Sequence, residues 1–249
     1  MPGVSRSFAG PVRLSDLLAL EEARGTIPTT NELIDIALNW VTPFSLITRP
    51  QLLSFMTEEL IPALQKASRP SYFIDRVKAI LEELPEKVYE PVSEIATPAS
   101  FPEKYSKLFG RNLEDIEWNL RHLHKVRGSA IRPLGEVSPF LIALNPELMR
   151  TTTPVHEMMH YWTALEQFPL GIRNLLLQTH MDIPPAQRSF YEALTSTALT
   201  SPSEYGAEFA ARFLTASTPG EEAFWARQIE ELPPVYRDWI KEIINRIFK

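Results

Sequence analysis

Twenty-two prolines against nine glycines in 249 residues limit this chain more than any other feature. Proline lacks a backbone donor and clashes with the carbonyl four residues back, so it opens a helix or ends one. With so few glycines, a glycine-rich β fold is disfavoured. The reading is a mainly α (α+β) protein of short helices started and stopped by proline. At 44% hydrophobic and 22% charged residues the chain can bury a full core, which argues against wholesale disorder.

Helix signals recur along the chain. Ser15-Asp16 precedes Leu17, Leu18 and Leu20, and Thr29 with Glu32 forms a capping-box pattern before Leu33, Ile36, Ala37 and Trp40. Apolar spacing predicts helices over about 50–67 and 71–83, the first ended or kinked near Ile61 by Pro62. Pro85, Pro91, Pro98 and Pro102 then crowd the stretch from Leu84 to Tyr105, a spacing that reads as a linker or wrapping loop. A boundary placed here gives a helical region with a proline-rich linker over 1–103 and a second unit over 104–249, unless both form one continuous domain. Helical spacing returns over 111–126. Segment 138–144 reads as a strand followed by an Asn145-Pro146 turn. A helix capped by Thr153, with Pro154 at its first position, should run to about Gln167. Further helices are expected from Leu170 to Met181, Ala186 to Leu199, Ser203 to Ala216, Glu221 to Glu231 and Val235 to Phe248.

Several classes fall away on composition. No cysteine means no disulfide, no thiolate ligand and no thiol nucleophile, so any metal must be held by His and carboxylates. A formal charge of -6 with interspersed signs leaves no footprint for nucleic acid or an anionic membrane. No apolar run approaches the roughly 18–20 residues of a membrane span, and the opening MPGVSRSFAGPV lacks a signal-peptide core.

The run His156-Glu157-Met158-Met159-His160 carries the chemistry. Residues four apart share a helix face, so both imidazoles can converge on one zinc ion at about 2.0–2.1 Å. Glu157 lies about 100° around the helix, able to reach a metal-bound water without being a ligand, which suits a general base. The bland alternative is a core or solvated histidine pair.

A catalytic zinc needs a third protein ligand and an open position. Thr163 and Glu166 stand where a metzincin carries Gly and His, so a third histidine is not expected. Among later carboxylates Glu204 leads, with Glu208 and Glu192 as alternatives. Glu204 and Glu208 are one helical turn apart in SEYGAEFAARFL, so one carboxylate can reach the metal while the other fixes a ligand histidine's tautomer. Ser201-Pro202-Ser203-Glu204 also matches a capping box, a competing role for Glu204. Tyr161, Tyr191, Tyr205 and His180 could donate to an oxyanion but fit core packing better. His122 and His124, two apart on a helix, share no face and are read as ordinary.

The segments PVHEMMHYW and SEYGAEFAARF together resemble a gluzincin, and the second is similar to the glutamate helix of lethal-factor-type toxin peptidases. That resemblance implies a zincin-like fold with a small sheet and a helical N-terminal extension, Glu204 as zinc ligand, and Glu208 supporting the site. Tyr205-Gly206 departs from the two bulky aromatics of the toxin pattern. With 44 residues separating His160 from Glu204, the chain more specifically resembles the C-terminal metallopeptidase extension of VgrG spike proteins of type VI secretion. This likeness covers about 60 residues. It implies an antibacterial effector delivered to a target cell's periplasm, part of a larger spike protein and countered by an immunity protein.

The resulting expectation is one catalytic zinc on His156, His160 and Glu204, with Glu157 as base, hydrolysing a peptide or protein substrate. The cleft should follow the motif helix, with 168–200 as one wall. The rivals are a non-catalytic adaptor with structural zinc and a zinc amidase acting on peptidoglycan.

Overall fold

The computed structural model describes residues 47–84, 92–133, 139–165, 168 and 170–247. The expected helices after Ser15 and Thr29, and the stretch from Pro85 to Pro91, lie outside these residues.

Among the described residues the chain is mainly helical around one small sheet. Helix α1 (Arg49–Phe55) opens with a complete capping box between Thr48 and Gln51, and continues through a π turn (Met56–Leu60) into α2 (Ile61–Lys66). The run does not end at Pro62, but its α geometry is interrupted just before Ile61. The wider turn, in which the Ile61 N–H bonds the Met56 carbonyl five residues back, absorbs the clash a proline imposes on an α turn. Helix α3 (Ser71–Glu83) buries Phe73, Val77, Ile80 and Leu81, the expected helical stripe.

The proline-punctuated stretch contains two elements the spacing did not predict. Strand β1 (Glu94–Ala96) is one, and helix α4 (Phe101–Phe109), with Pro102 in its first turn, is the other. Pro102 starts a helix where crowding suggested a loop, because a first-turn N–H has no intrahelical partner to lose. Residue 103 falls inside α4. Helix α5 (Leu113–Leu123) follows, capped by Asn112.

Strands β2 (Gly128–Ile131) and β3 (Leu141–Leu144) complete a sheet of order β1-β3-β2. β1 lies parallel to β3 with Ile95 opposite Ile142, while β2 is antiparallel with Ala130 opposite Ile142. All four residues of β3 are buried and all four of β2 are half-buried, as suits a central strand and an edge strand.

Helix α6 (Thr153–Thr163) carries the motif and packs on β2 and β3. It starts one residue earlier than predicted. Thr152 is the cap, Thr153 is the first helical residue, and the Thr153 hydroxyl accepts from the Arg150 N–H at 2.9 Å. It also ends earlier, at Thr163, whose hydroxyl donates to the Met159 carbonyl at 2.8 Å before Ala164 turns extended.

The remaining helices are α7 (Leu170–Asp182), α8 (Pro185–Thr195), α9 (Pro202–Leu214), α10 (Pro219–Glu230) and α11 (Pro234–Ile247). Helix α8 stops at Ser196, which is left-handed with φ 54°, four residues short of the expected end at Leu199. Helix α11 buries Tyr236, Trp239, Ile240, Ile243, Ile244 and Ile247, a seam of three- and four-residue steps that props α9 from behind.

The close pairing of α9 with α6 depends on Gly206. A Cβ there would stand 2.6 Å from Thr163 Cγ2 and 2.9 Å from the Trp239 ring, both fully buried. Tyr205 beside it is also fully buried and stacks on Phe209 at 6.0 Å. The Tyr205-Gly206 pair therefore brings the glutamates of α9 close to α6.

The variant Gly206→Ala should be destabilised by about 1–3 kcal/mol in urea unfolding. Overpacking of that size outweighs alanine's helix advantage of about 1 kcal/mol. A variant as stable as the parent would contradict the packing described.

Candidate metal site

Helix α6 places His156 and His160 one turn apart, with ring centroids 4.8 Å apart and planes 81° to one another. His156 and Glu157 are buried, and His160 is half-buried. The ligand atoms of His156, Glu157 and His160 lie within 4.8 Å of one another, and the group could hold a metal ion.

Helix α9 brings in the second half. Ser201 caps it by accepting from the Glu204 N–H at 3.4 Å, which serves the backbone only. The Glu204 carboxylate turns instead to the imidazoles, at 3.3 Å from Nε2 of His156 and 3.6 Å from Nε2 of His160. It is nearer to the two rings than Glu157 is, whose carboxylate stands 3.9 Å from His160 Nε2. The Ser203 hydroxyl donates to the Thr163 carbonyl at 2.8 Å, pinning the start of α9 to the end of α6.

One turn on, Glu208 accepts a hydrogen bond from Nδ1 of His156 at 2.9 Å. A carboxylate can only accept, so Nδ1 carries the proton and Nε2 is aimed at Glu204. Arg212 Nε donates to the other Glu208 oxygen at 2.8 Å and reaches the Thr195 carbonyl with its outer nitrogen at 2.6 Å. Glu192 does not join the site. Its carboxylate accepts from the Leu199 N–H at 3.2 Å.

The sheet supplies what the sequence did not indicate. A Cβ on Gly128 would lie 2.7 Å from Glu157 Cγ, so the strand passes directly over that side chain. The Ala130 N–H donates to the Glu157 carboxylate. Only the motif helix and an absent side chain allow this approach. In the sequence its sole trace is the glycine in RGSAI.

A cleft of about 780 Å³ opens on these groups. One wall is β2 with the preceding Lys125, Val126 and Arg127. The other is Thr197, Ala198 and Thr200, at the far end of the segment expected to form a wall. Tyr161, Tyr191, Tyr205 and His180 are buried away from it. The Tyr191 hydroxyl bonds the Glu231 carbonyl and His180 faces the Tyr236 hydroxyl. His122 stacks on Trp118 and lines the cleft's outer part.

Charge balance suits a cation. Three carboxylates meet in buried space, and burial together with the Glu204 and Glu208 charges pushes the Glu157 carboxyl up to about 7. For His156, burial is outweighed by hydrogen bonds to Glu204 and Glu208, which hold the imidazolium up to about 10. Burial and the His156 charge together lower His160 to about 4. Two imidazole nitrogens and a carboxylate, without thiolate, form a donor set for zinc and its neighbours.

No family model, no curated protein and no solved structure matches this chain.

Imidazole binds a metal only as the free base, so metal uptake near neutrality must displace the His156 proton. Apparent zinc affinity should therefore rise with pH from 6 to 8, by roughly tenfold per unit for one proton. Competition against a chromophoric chelator measures this, and an affinity independent of pH would refute the assigned protonation.

Proposed function

We propose that this chain is a zinc-dependent endopeptidase with His156, His160 and Glu204 as metal ligands and Glu157 as general base. One observation carries the reading. Glu204, on a separate helix, lies 3.3 and 3.6 Å from the two Nε2 atoms. One oxygen of the carboxylate (Oε2) faces His156 and the other (Oε1) faces His160, so the three side chains are gathered as residues that would hold one zinc ion. His156, His160 and Glu204 all line the cleft, so a metal held by them would be open to substrate, as catalysis needs and a closed structural site does not provide.

When bound, zinc supplies a Lewis acid that brings its water's pKa to about 7. The residues of the chain do the rest. Glu157, beside the two imidazoles and facing the cleft, can accept a proton from the attacking water and later release it to the leaving amine. The Ala130 N–H and the absent side chain at Gly128 hold Glu157 in place. Glu208 keeps His156 in the tautomer that presents Nε2. Among the described residues β2 is paired with β3 on one side only, and its other edge can offer backbone groups to an extended peptide.

The 44-residue separation of His160 from Glu204, with the chain's length and proline-punctuated helices, resembles VgrG metallopeptidase extensions and supports a further step, an antibacterial effector acting in the periplasm. Expression with and without an export signal tests it, since toxicity restricted to the exported form is the expected result.

Glu157→Gln should retain zinc and fold while losing about 10²–10⁴-fold in peptide hydrolysis. Undiminished hydrolysis by this variant would sink the mechanism. Gly128→Ala should displace the Glu157 side chain and lower kcat by roughly 100-fold with zinc content unchanged. Equal kcat in parent and variant would show that Gly128 does not position the base.

A further inference from the structure

The net charge of the chain is -6, yet among the described residues the lining of its cleft outside the metal site is basic. Among the described lining residues the carboxylates are Glu157, Glu204 and Glu208, all within the site. The remaining charged lining groups are Lys125, Arg127, Arg132 and Arg212. Arg212 is neutralised by Glu208 at 2.8 Å. Lys125 is exposed and Arg127 half-buried, and neither forms a salt bridge among the described residues.

Arg127 stands immediately before Gly128, the residue that passes over Glu157. Its closest polar contact is a long one, from its guanidinium to the Ser196 carbonyl at 3.5 Å. Burial first and the neighbouring Arg150 charge next lower its pKa against the opposite pull of Glu208, and Arg212 adds a further positive charge nearby. A planar fork beside like charges is completed by a carboxylate, which it can bind through two parallel hydrogen bonds. Lys125 adds a second cation two residues away. Such a cleft repels basic peptides and draws acidic ones by the same field.

Resting on the peptidase reading, we propose that the cleft selects peptides carrying a carboxylate beside the scissile bond, with Arg127 and Lys125 as the groups that recognise it. The carboxylate comes either from an Asp or Glu side chain or from a free C-terminus close to the bond. Both present the same planar anion to Arg127.

Binding, rather than turnover, tests this on the zinc-loaded full chain carrying Glu157→Gln. The probes are four fluorescent peptides of one length: acidic with an amidated C-terminus, neutral amidated, neutral with a free C-terminus, and basic amidated. The acidic or the free-carboxylate peptide should bind at least about tenfold tighter than the neutral amidated one, with the advantage shrinking as salt rises. Whichever of the two gains identifies the source of the carboxylate. Arg127→Glu should abolish the preference. Lys125→Glu, an exposed change that leaves packing untouched, should reduce it severalfold, so the test survives if the first variant misfolds. Equal binding of all four peptides, or a preference unchanged by Lys125→Glu and by a folded Arg127→Glu protein, would overturn the proposal. Acidic preference without cleavage by the parent would defeat the peptidase reading alone. Cleavage without charge preference would defeat the selectivity alone.

Discussion

The hydrogen bond from Nδ1 of His156 to Glu208 ties the two halves of the site together. It joins α6 to α9 across a gap that Gly206 keeps narrow, and it decides which imidazole nitrogen is left for a metal. Glu208 is buried, so an unpaired charge there would be strongly unfavourable. Arg212 removes that penalty by sharing its guanidinium between Glu208 and the Thr195 carbonyl. The chain from Thr195 through Arg212 and Glu208 to His156 thus links the end of α8, the middle of α9 and the motif helix. Each member satisfies the next, and removing any one leaves a buried polar group without its partner.

The same geometry concentrates negative charge. Glu157, Glu204 and Glu208 stand beside one another in largely buried space, and burial first, with the Glu204 and Glu208 charges behind it, raises the Glu157 pKa. His156 acts as the cation while its proton remains, held between two carboxylates. His160 cannot share that role, because burial and the neighbouring charge keep it neutral. The two histidines of one motif therefore differ in protonation: hydrogen bonds to Glu204 and Glu208 outweigh burial at the first ring, whereas burial and the His156 charge prevail at the second.

Much of this was legible because helical period leaves a mark. His156 with His160 and Glu204 with Glu208 share the four-residue step, and the apolar seam of α11 is equally plain in VYRDWIKEIINRI. The parts that escaped leave weaker marks. β2 is four half-buried residues with one branched apolar side chain, too short for alternation to register, yet it forms a wall of the cleft. Pro102 was read for its company rather than its position, which hid α4. At Pro62 the helical run continues, and the proline's clash shows as a π turn ending at Leu60 rather than as a helix end. The capping box at Ser201 was ambiguous by sequence, because a carboxylate three residues past the cap serves a helix start and a metal equally well. Three-dimensional placement separates the two: the backbone takes the cap and the side chain takes the imidazoles.

The basic rim of the cleft could not be read from charge counts. Lys125 and Arg127 sit among interspersed charges in an acidic chain, and nothing in KVRGSAI marks them as neighbours of Glu157. Their position follows from the sheet. Antiparallel pairing of β2 with β3 lays Gly128 over the motif helix, and the residues just before it then reach the cleft whatever their identity. The absent side chain at Gly128 sets the height of the strand above Glu157, and the strand in turn carries the cations to the cleft. Basic groups there stand within a few residues of the three site carboxylates, so one short strand, with the residues just before it, carries both the backbone that holds Glu157 and the cations of the cleft.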